Sequence, residues 1–126
     1  YFGRAAARMD DVLNFIPSRL SAVFMICAAF FLDMDWKHAW RIWRRDRLNH
    51  KSPNSAQTES VCAGALRIQL AGDAWYFGTL YKKKTIGDDL RPVEPEDIKR
   101  AGRLLYGTAY VALAAFLALQ AVLALK

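Results

Sequence analysis

The chain has 126 residues, a net charge of +6, and a hydrophobic fraction of 54% against a mean hydropathy of only +0.03. Those values exclude a soluble domain of evenly mixed sequence and require apolar blocks set beside a strongly charged one. Two cysteines, Cys27 and Cys62, share no disulfide or metal-ligand spacing and read as free, buried thiols.

The chain opens at Tyr1 rather than Met, and Gly3-Arg-Ala-Ala-Ala-Arg8 enters a helical pattern at once. It is therefore expected to be the C-terminal part of something longer. No signal peptide is legible, because the first apolar run follows Pro17 and lacks a cleavage-type end. Residues 1–17 predict an amphipathic helix. Met9, Val12, Leu13 and Ile16 share one face, Arg4, Arg8 and Asp11 the other, and Pro17 forces a break or a new start.

Residues 18–35 form the first membrane candidate. Only 13 residues separate Arg19 from Asp33, short for a span needing roughly 20. Snorkelling of Arg19 would extend it back to Phe15; a re-entrant or a buried soluble helix is the alternative. Next, Trp36 to Leu48 reads as a basic amphipathic helix. Trp36, Trp40 and Trp43 recur at i, i+4 and i+7 beside Lys37, Arg41 and Arg44, which would lay it along anionic headgroups. A nucleic-acid reading of the same basic segment is disfavoured by its place at the end of an apolar span.

Ser52-Pro53 predicts a helix start, with Ser52 as cap, running through Cys62 towards Leu66. Leu66 to Leu70 alternates and fits either a short strand or a fraying helix end. Trp75, Tyr76 and Phe77 argue that the region is compact rather than disordered. Glu94-Pro-Glu-Asp97 opens the last helix, its carboxylates favoured by the helix dipole. Residues 104–126 predict a C-terminal transmembrane helix: Leu104 to Leu125 is uncharged and about 33 Å long as a helix.

The resulting fold class is mainly α, a fragment of a polytopic α-helical membrane protein with a polar region, residues 36–103, between two membrane segments. Fourteen of the 18 Lys and Arg residues lie between Lys37 and Arg103. The positive-inside rule then faces this region to the cytoplasm of a multi-pass inner (plasma) membrane protein.

Candidate chemistry clusters in this polar region. Ser52, Asn54 and Ser55 lie at a helix start after His50 and Lys51, and hydroxyls, free N–H groups and a cation suit a phosphate. Plain capping explains the same residues, and His50 alone is more often a surface residue than a base. Glu59 would bind a metal or an amine, or pair with a lysine. Asp88 and Asp89 follow Lys82 to Lys84 and would hold magnesium and nucleotide phosphates, or form a solvated turn. No Walker-type glycine loop is present, so any nucleotide site is non-standard.

These residues, in order, resemble the CobD/CbiB family of cobalamin biosynthesis, adenosylcobinamide-phosphate synthase. The resemblance is carried by Gly3 to Leu20, Arg45-Asp46, His50-Lys-Ser-Pro-Asn54, Glu59, Ala63-Gly-Ala-Leu66, Tyr76-Phe-Gly78, Thr85-Ile-Gly-Asp88, Arg91-Pro92 and Glu94-Pro-Glu-Asp-Ile98. It covers nearly the whole chain except the last helix. Lys84 departs from a frequent proline, and Gln57-Thr58 from a Trp-Pro-like pair.

The resemblance implies ATP-dependent amide ligation of adenosylcobyric acid, the corrinoid substrate, with aminopropanol phosphate or a close analogue, giving adenosylcobinamide phosphate. Mg²⁺ would neutralise phosphates and a base would serve the ammonium nucleophile. His50 and Glu59 are then the catalytic candidates. Lys51, Ser52, Asn54 and Ser55 are the phosphate-binding candidates, and Asp88 with Glu59 the metal ligands. Arg4, Arg8, Asp11, Asn14, Asp46, Thr85 and Gly87 match the family's motifs without an assigned role. If residues 18–32 cross fully, the first helix lies opposite the polar region; it reaches the site only if that segment re-enters or the helix packs within the membrane. Family members carry further N-terminal membrane helices, so this chain alone is expected to be inactive. A non-catalytic AmpE-like membrane sensor and an inactive fragment are the competing readings.

Overall fold

The computed structural model describes residues 2–125. Five helices dominate: α1 (Phe2–Leu13), α2 (Phe15–Phe31), α3 (Trp36–Asp46), α4 (Ala56–Leu66) and α5 (Glu96–Ala124). Two small antiparallel pairs lie between α4 and α5. β1 (Leu70–Ala71) pairs with β4 (Thr85–Ile86), and β2 (Ala74–Tyr76) with β3 (Thr79–Tyr81).

The break expected at Pro17 falls three residues earlier, at Asn14. There α1 and α2 meet at a 46° bend, and the Asn14 amide donates back to Asp10 Oδ1 at 2.8 Å. Pro17 sits in the first turn of α2, where its missing N–H costs no helical bond. The apolar face expected of α1 is exposed: Met9, Val12, Leu13 and Ile16 all face outward. At the far end of α2, Asp33 takes a left-handed φ of 57°, and Met34 N–H donates to Ala29 O at 2.9 Å. That is a Schellman stop. Asp35 then caps α3, accepting from His38 N–H at 3.0 Å.

The core is a four-helix junction. Ala22, Met25, Ile26, Ala28 and Ala29 of α2 pack on Ala39 and Trp43 of α3, Val61 and Ala65 of α4, and Leu104 of α5. Small residues let the backbones approach. A Cβ at Gly64 would stand 2.5 Å from Ala39 Cα, and one at Gly107 would stand 2.9 Å from Leu32 Cδ1. Because Gly107 meets Leu32 while Phe116 meets Phe24, with ring centroids 6.0 Å apart, α5 runs antiparallel to α2.

Several sequence expectations are corrected here. Trp43 does not share an interfacial face with Trp36 and Trp40: it is buried, and its indole N–H donates to Gln57 Oε1 at 2.9 Å. The fourth helix starts at Ala56, because residues 51–55 form turns and Ser52 bonds elsewhere. Trp75, Tyr76 and Phe77 are not core. They lie exposed on the β2–β3 hairpin, whose Phe77-Gly78 turn has φ of 50° and 77°. Cys27 is exposed and Cys62 half-buried; both are free.

Among the described residues, α5 is the one helix long and apolar enough by itself to cross a membrane. The 17-residue α2 falls short alone, and α1 with α2 qualifies only as one bent span. Tyr106, Tyr110, Leu113, Phe116 and Leu123 leave much of α5 exposed and apolar.

Candidate functional site

Two polar networks flank α4, one at the α1–α2 break and one along α3.

Asn54 is the hub of the first. Its amide donates to Asp11 O at 2.8 Å, and its Oδ1 accepts from Ser18 Oγ and from an Arg19 guanidinium N–H, each at 3.2 Å. Ser52 Oγ donates to Asp11 Oδ1 at 2.7 Å and accepts from Asn54 N–H at 3.3 Å. His50 completes the turn, its Nδ1 accepting from Ser52 N–H at 3.2 Å. With Nδ1 occupied, Nε2 is the ring atom left free for a further partner.

The loop is held from beneath by Gln57, which is fully buried. Its amide donates to Pro53 O at 3.0 Å while its Oε1 accepts from Trp43. This residue stands where the sequence departs from a Trp-Pro-like pair, and nothing in the local pattern signals its role.

Arg45 anchors the second network. Its Nε and Nη2 donate to the two Asp46 oxygens at 2.7 and 2.8 Å, and its Nη1 donates to Asp88 Oδ1 at 2.7 Å. Asp46 is buried and also accepts Gly87 N–H at 2.8 Å. Burial alone would raise the Asp46 carboxyl, but the Arg45 and Gly87 hydrogen bonds outweigh it and hold the group below the usual carboxylate range. Gly87 is required by geometry: its φ is 87°, and a Cβ there would collide with Ile68 O and Ala63. The other Asp88 oxygen lies 3.5 Å from His38 Nε2, a buried atom with no hydrogen-bond partner. Sequence reasoning passed over His38, whose only signal is its place seven residues before Arg45 on one helix face.

Asn49 borders the second network, its backbone N–H donating to Asp46 O at 2.8 Å and its side-chain amide to Thr85 O at 3.1 Å. Glu59 is exposed, one turn before Ala63, and so stands on the α4 face that meets Gly87. Ser55 occupies the α4 cap position without a side-chain capping bond. Lys51, Arg4 and Arg8 are exposed, and among the described residues none of the three forms an ion pair.

The structure thus brings Asp11 to Ser52 and Asn54, and Asp46 and Gly87 to Asp88. Asn14 instead bonds Asp10, one turn back. Because α3 runs back along α2, the polar loop returns to the α1–α2 break, and the first helix reaches the site. Among the described residues no three His, Cys, Asp or Glu side chains cluster as metal ligands, and both Asp88 oxygens already face α3 partners.

Comparison with known proteins gives the chain its relatives. A family model described as CobD/Cbib protein matches residues 1–105. The chain is 42% identical over 122 residues to cobalamin biosynthesis protein CobD of Desulfotalea psychrophila, covering 97% of this chain and 37% of that protein. It is 50% identical over 114 residues to CobD of Streptococcus sanguinis, covering 90% and 36%. It is 47% identical over 116 residues to cobalamin biosynthesis protein CbiB of Salmonella arizonae, covering 92% and 36%. The chain therefore spans little more than a third of the length of these curated relatives. No solved structure matches it.

Proposed function

The chain belongs to the CobD/CbiB family of cobalamin-biosynthesis proteins, and from that premise we propose that it forms part of a membrane-associated ligase. The reaction is ATP-dependent joining of the adenosylcobyric acid carboxylate to the amine of aminopropanol phosphate, with the polar region facing the cytoplasm. The observation that carries this reading is the Asn54 hub, which ties Asp11, Ser18, Arg19 and Ser52 from three segments into one polar surface.

ATP, when bound with its magnesium, supplies the phosphoryl group that activates the carboxylate. The chain's own residues bind and orient. Lys51 and Nε2 of His50 offer donors to the phosphate of aminopropanol phosphate, beside the turn that Ser52 and Asn54 fix. Glu59, an exposed carboxylate with no ion-pair partner among the described residues, receives the ammonium end and takes its proton. The freed amine then forms the C–N bond as the activated carboxyl's bond to the phosphate oxygen breaks and inorganic phosphate leaves. Thr85 to Asp88 is held rigid by Arg45 and Asp46 at the edge of the same α4 face. Positioning of this kind accounts for a large share of an amide-forming rate.

The test uses the intact protein that carries this chain, assayed for ATP-dependent consumption of adenosylcobyric acid. Asn54→Ala and Glu59→Ala should each lose most of the product. Full activity in both variants defeats the assignment.

A further inference from the structure

The outer face of α3 is the strongest feature that the two networks leave unused. Lys37, Trp40, Arg41, Arg44 and Arg45, all from α3, line a shallow, open groove between their side chains. Lys37, Arg41 and Arg44 recur at i, i+4 and i+7, so the cations extend over about 10 Å. Among the described residues none of these three has an acidic partner. Like charges at this spacing oppose helix formation. An anion in the groove would offset that repulsion.

Trp40 stands in the middle of these cations, 44% exposed. Its ring packs on Trp43, with centroids 5.2 Å apart, and Trp43 is itself fixed by the bond to Gln57. The result is a braced indole with an open side, flanked by cations. Such a platform stacks planar rings.

We propose that this groove binds a nucleoside triphosphate, its base stacked on Trp40 and its phosphates paired with Arg41, Arg44 and Lys37. The inference rests on the ATP-dependent ligation proposed above and divides its two phosphate-bearing substrates between two places. The Ser52–Asn54 turn carries the Asp11 carboxylate, 2.7 Å from Ser52 Oγ. No carboxylate lines the α3 groove. Arg45 links the two, since it borders the groove and holds Asp88 and Asp46 on its other side. An anionic lipid headgroup would meet the same cations but has no planar ring to offer Trp40.

The test is calorimetric binding of ATP and of inorganic tripolyphosphate to the intact protein in neutral-lipid nanodiscs. Arg41→Gln/Arg44→Gln should weaken both ligands by at least about tenfold. Trp40→Leu should weaken ATP by roughly tenfold and leave tripolyphosphate unchanged. Lys82→Gln/Lys83→Gln, exposed cations on the hairpin side, should leave both unchanged. These substitutions are on outward-facing side chains, and an unaltered unfolding midpoint checks that each variant folds. Absent ATP binding, or equal ATP affinity in all variants, overturns the proposal. So does an Arg41→Gln/Arg44→Gln variant that loses only its preference for anionic over neutral nanodiscs. Normal ATP binding without amide product would sink the ligase reading alone; normal ligation by the Arg41→Gln/Arg44→Gln variant would sink the groove alone.

Discussion

Gly64 of α4 lies so close to Ala39 of α3 that an added Cβ would sit 2.5 Å from the Ala39 Cα and 3.0 Å from the His38 carbonyl oxygen. Both obstacles are backbone, so no side-chain rotation relieves them. The same approach sets the spacing of α3, which carries His38 and Arg45, against α4, which carries Glu59. Gly64→Ala should therefore lower stability by about 1–3 kcal/mol, the cost of overpacking a filled interface. Thermal unfolding of the purified protein checks this, and an unchanged midpoint would show that the helices part freely.

Gln57 makes the loop over α4 depend on a tryptophan from α3. Its amide joins Trp43 Nε1 and Pro53 O, so Gln57→Leu leaves a buried indole N–H without an acceptor. The expected loss is about 1–3 kcal/mol. Trp43→Phe in the Gln57→Leu background removes the orphaned donor and should recover part of it. Strict additivity of the two substitutions in a double-mutant cycle would count against the contact.

Asp46 gives the second network a pH dependence with a definite sign. Burial raises its carboxyl, and Arg45 with Gly87 N–H more than reverses that, so the folded pKa lies below the unfolded one. The network's stabilisation is then fully present above the unfolded value of about 3.9 and is lost as pH falls through the folded value. Asp46→Asn should cost about 1–2 kcal/mol at pH 7, short of a fully buried pair because Arg45 is half exposed. It should also flatten the fall in stability below about pH 4. Equal acid sensitivity in both proteins would remove Asp46 from the account.

Fold and site were legible to different degrees, for physical reasons. The 22 uncharged residues from Leu104 to Leu125 identify α5 because length and apolarity alone decide it. Trp43 shows the limit of periodicity. The i, i+4, i+7 spacing of the tryptophans fixes their relative angles, while which of them turns inward depends on Gln57 of another helix. The break at Asn14 and the exposed hairpin at Phe77-Gly78 were likewise hidden. One depends on a side-chain bond to Asp10, and the other on a left-handed φ at a phenylalanine. The motif residues from Ser52 to Asn54 were named from order along the chain, but their partner Asp11, 41 residues before Ser52, is a tertiary fact.

That long-range contact yields the sharpest functional prediction. Asn54 holds Asp11 through the backbone oxygen, Ser52 holds the same residue through its carboxylate, and Asn54 Oδ1 takes Arg19 and Ser18 from α2. Groups that share a hub lose function as a unit. Asn54→Ala and Asp11→Ala should each reduce ligation by the intact protein on the order of 100-fold, the scale set by misplacing reacting groups by about 1 Å. The double variant should be little worse than either single one. Glu59 makes no hydrogen bond to this hub, so Glu59→Gln combined with Asn54→Ala should approach the product of the separate losses. Product formation by single-turnover assay separates these outcomes. Multiplicative losses for Asp11 with Asn54 would mean that the two residues act in different steps, and that the α1–α2 break serves only the fold.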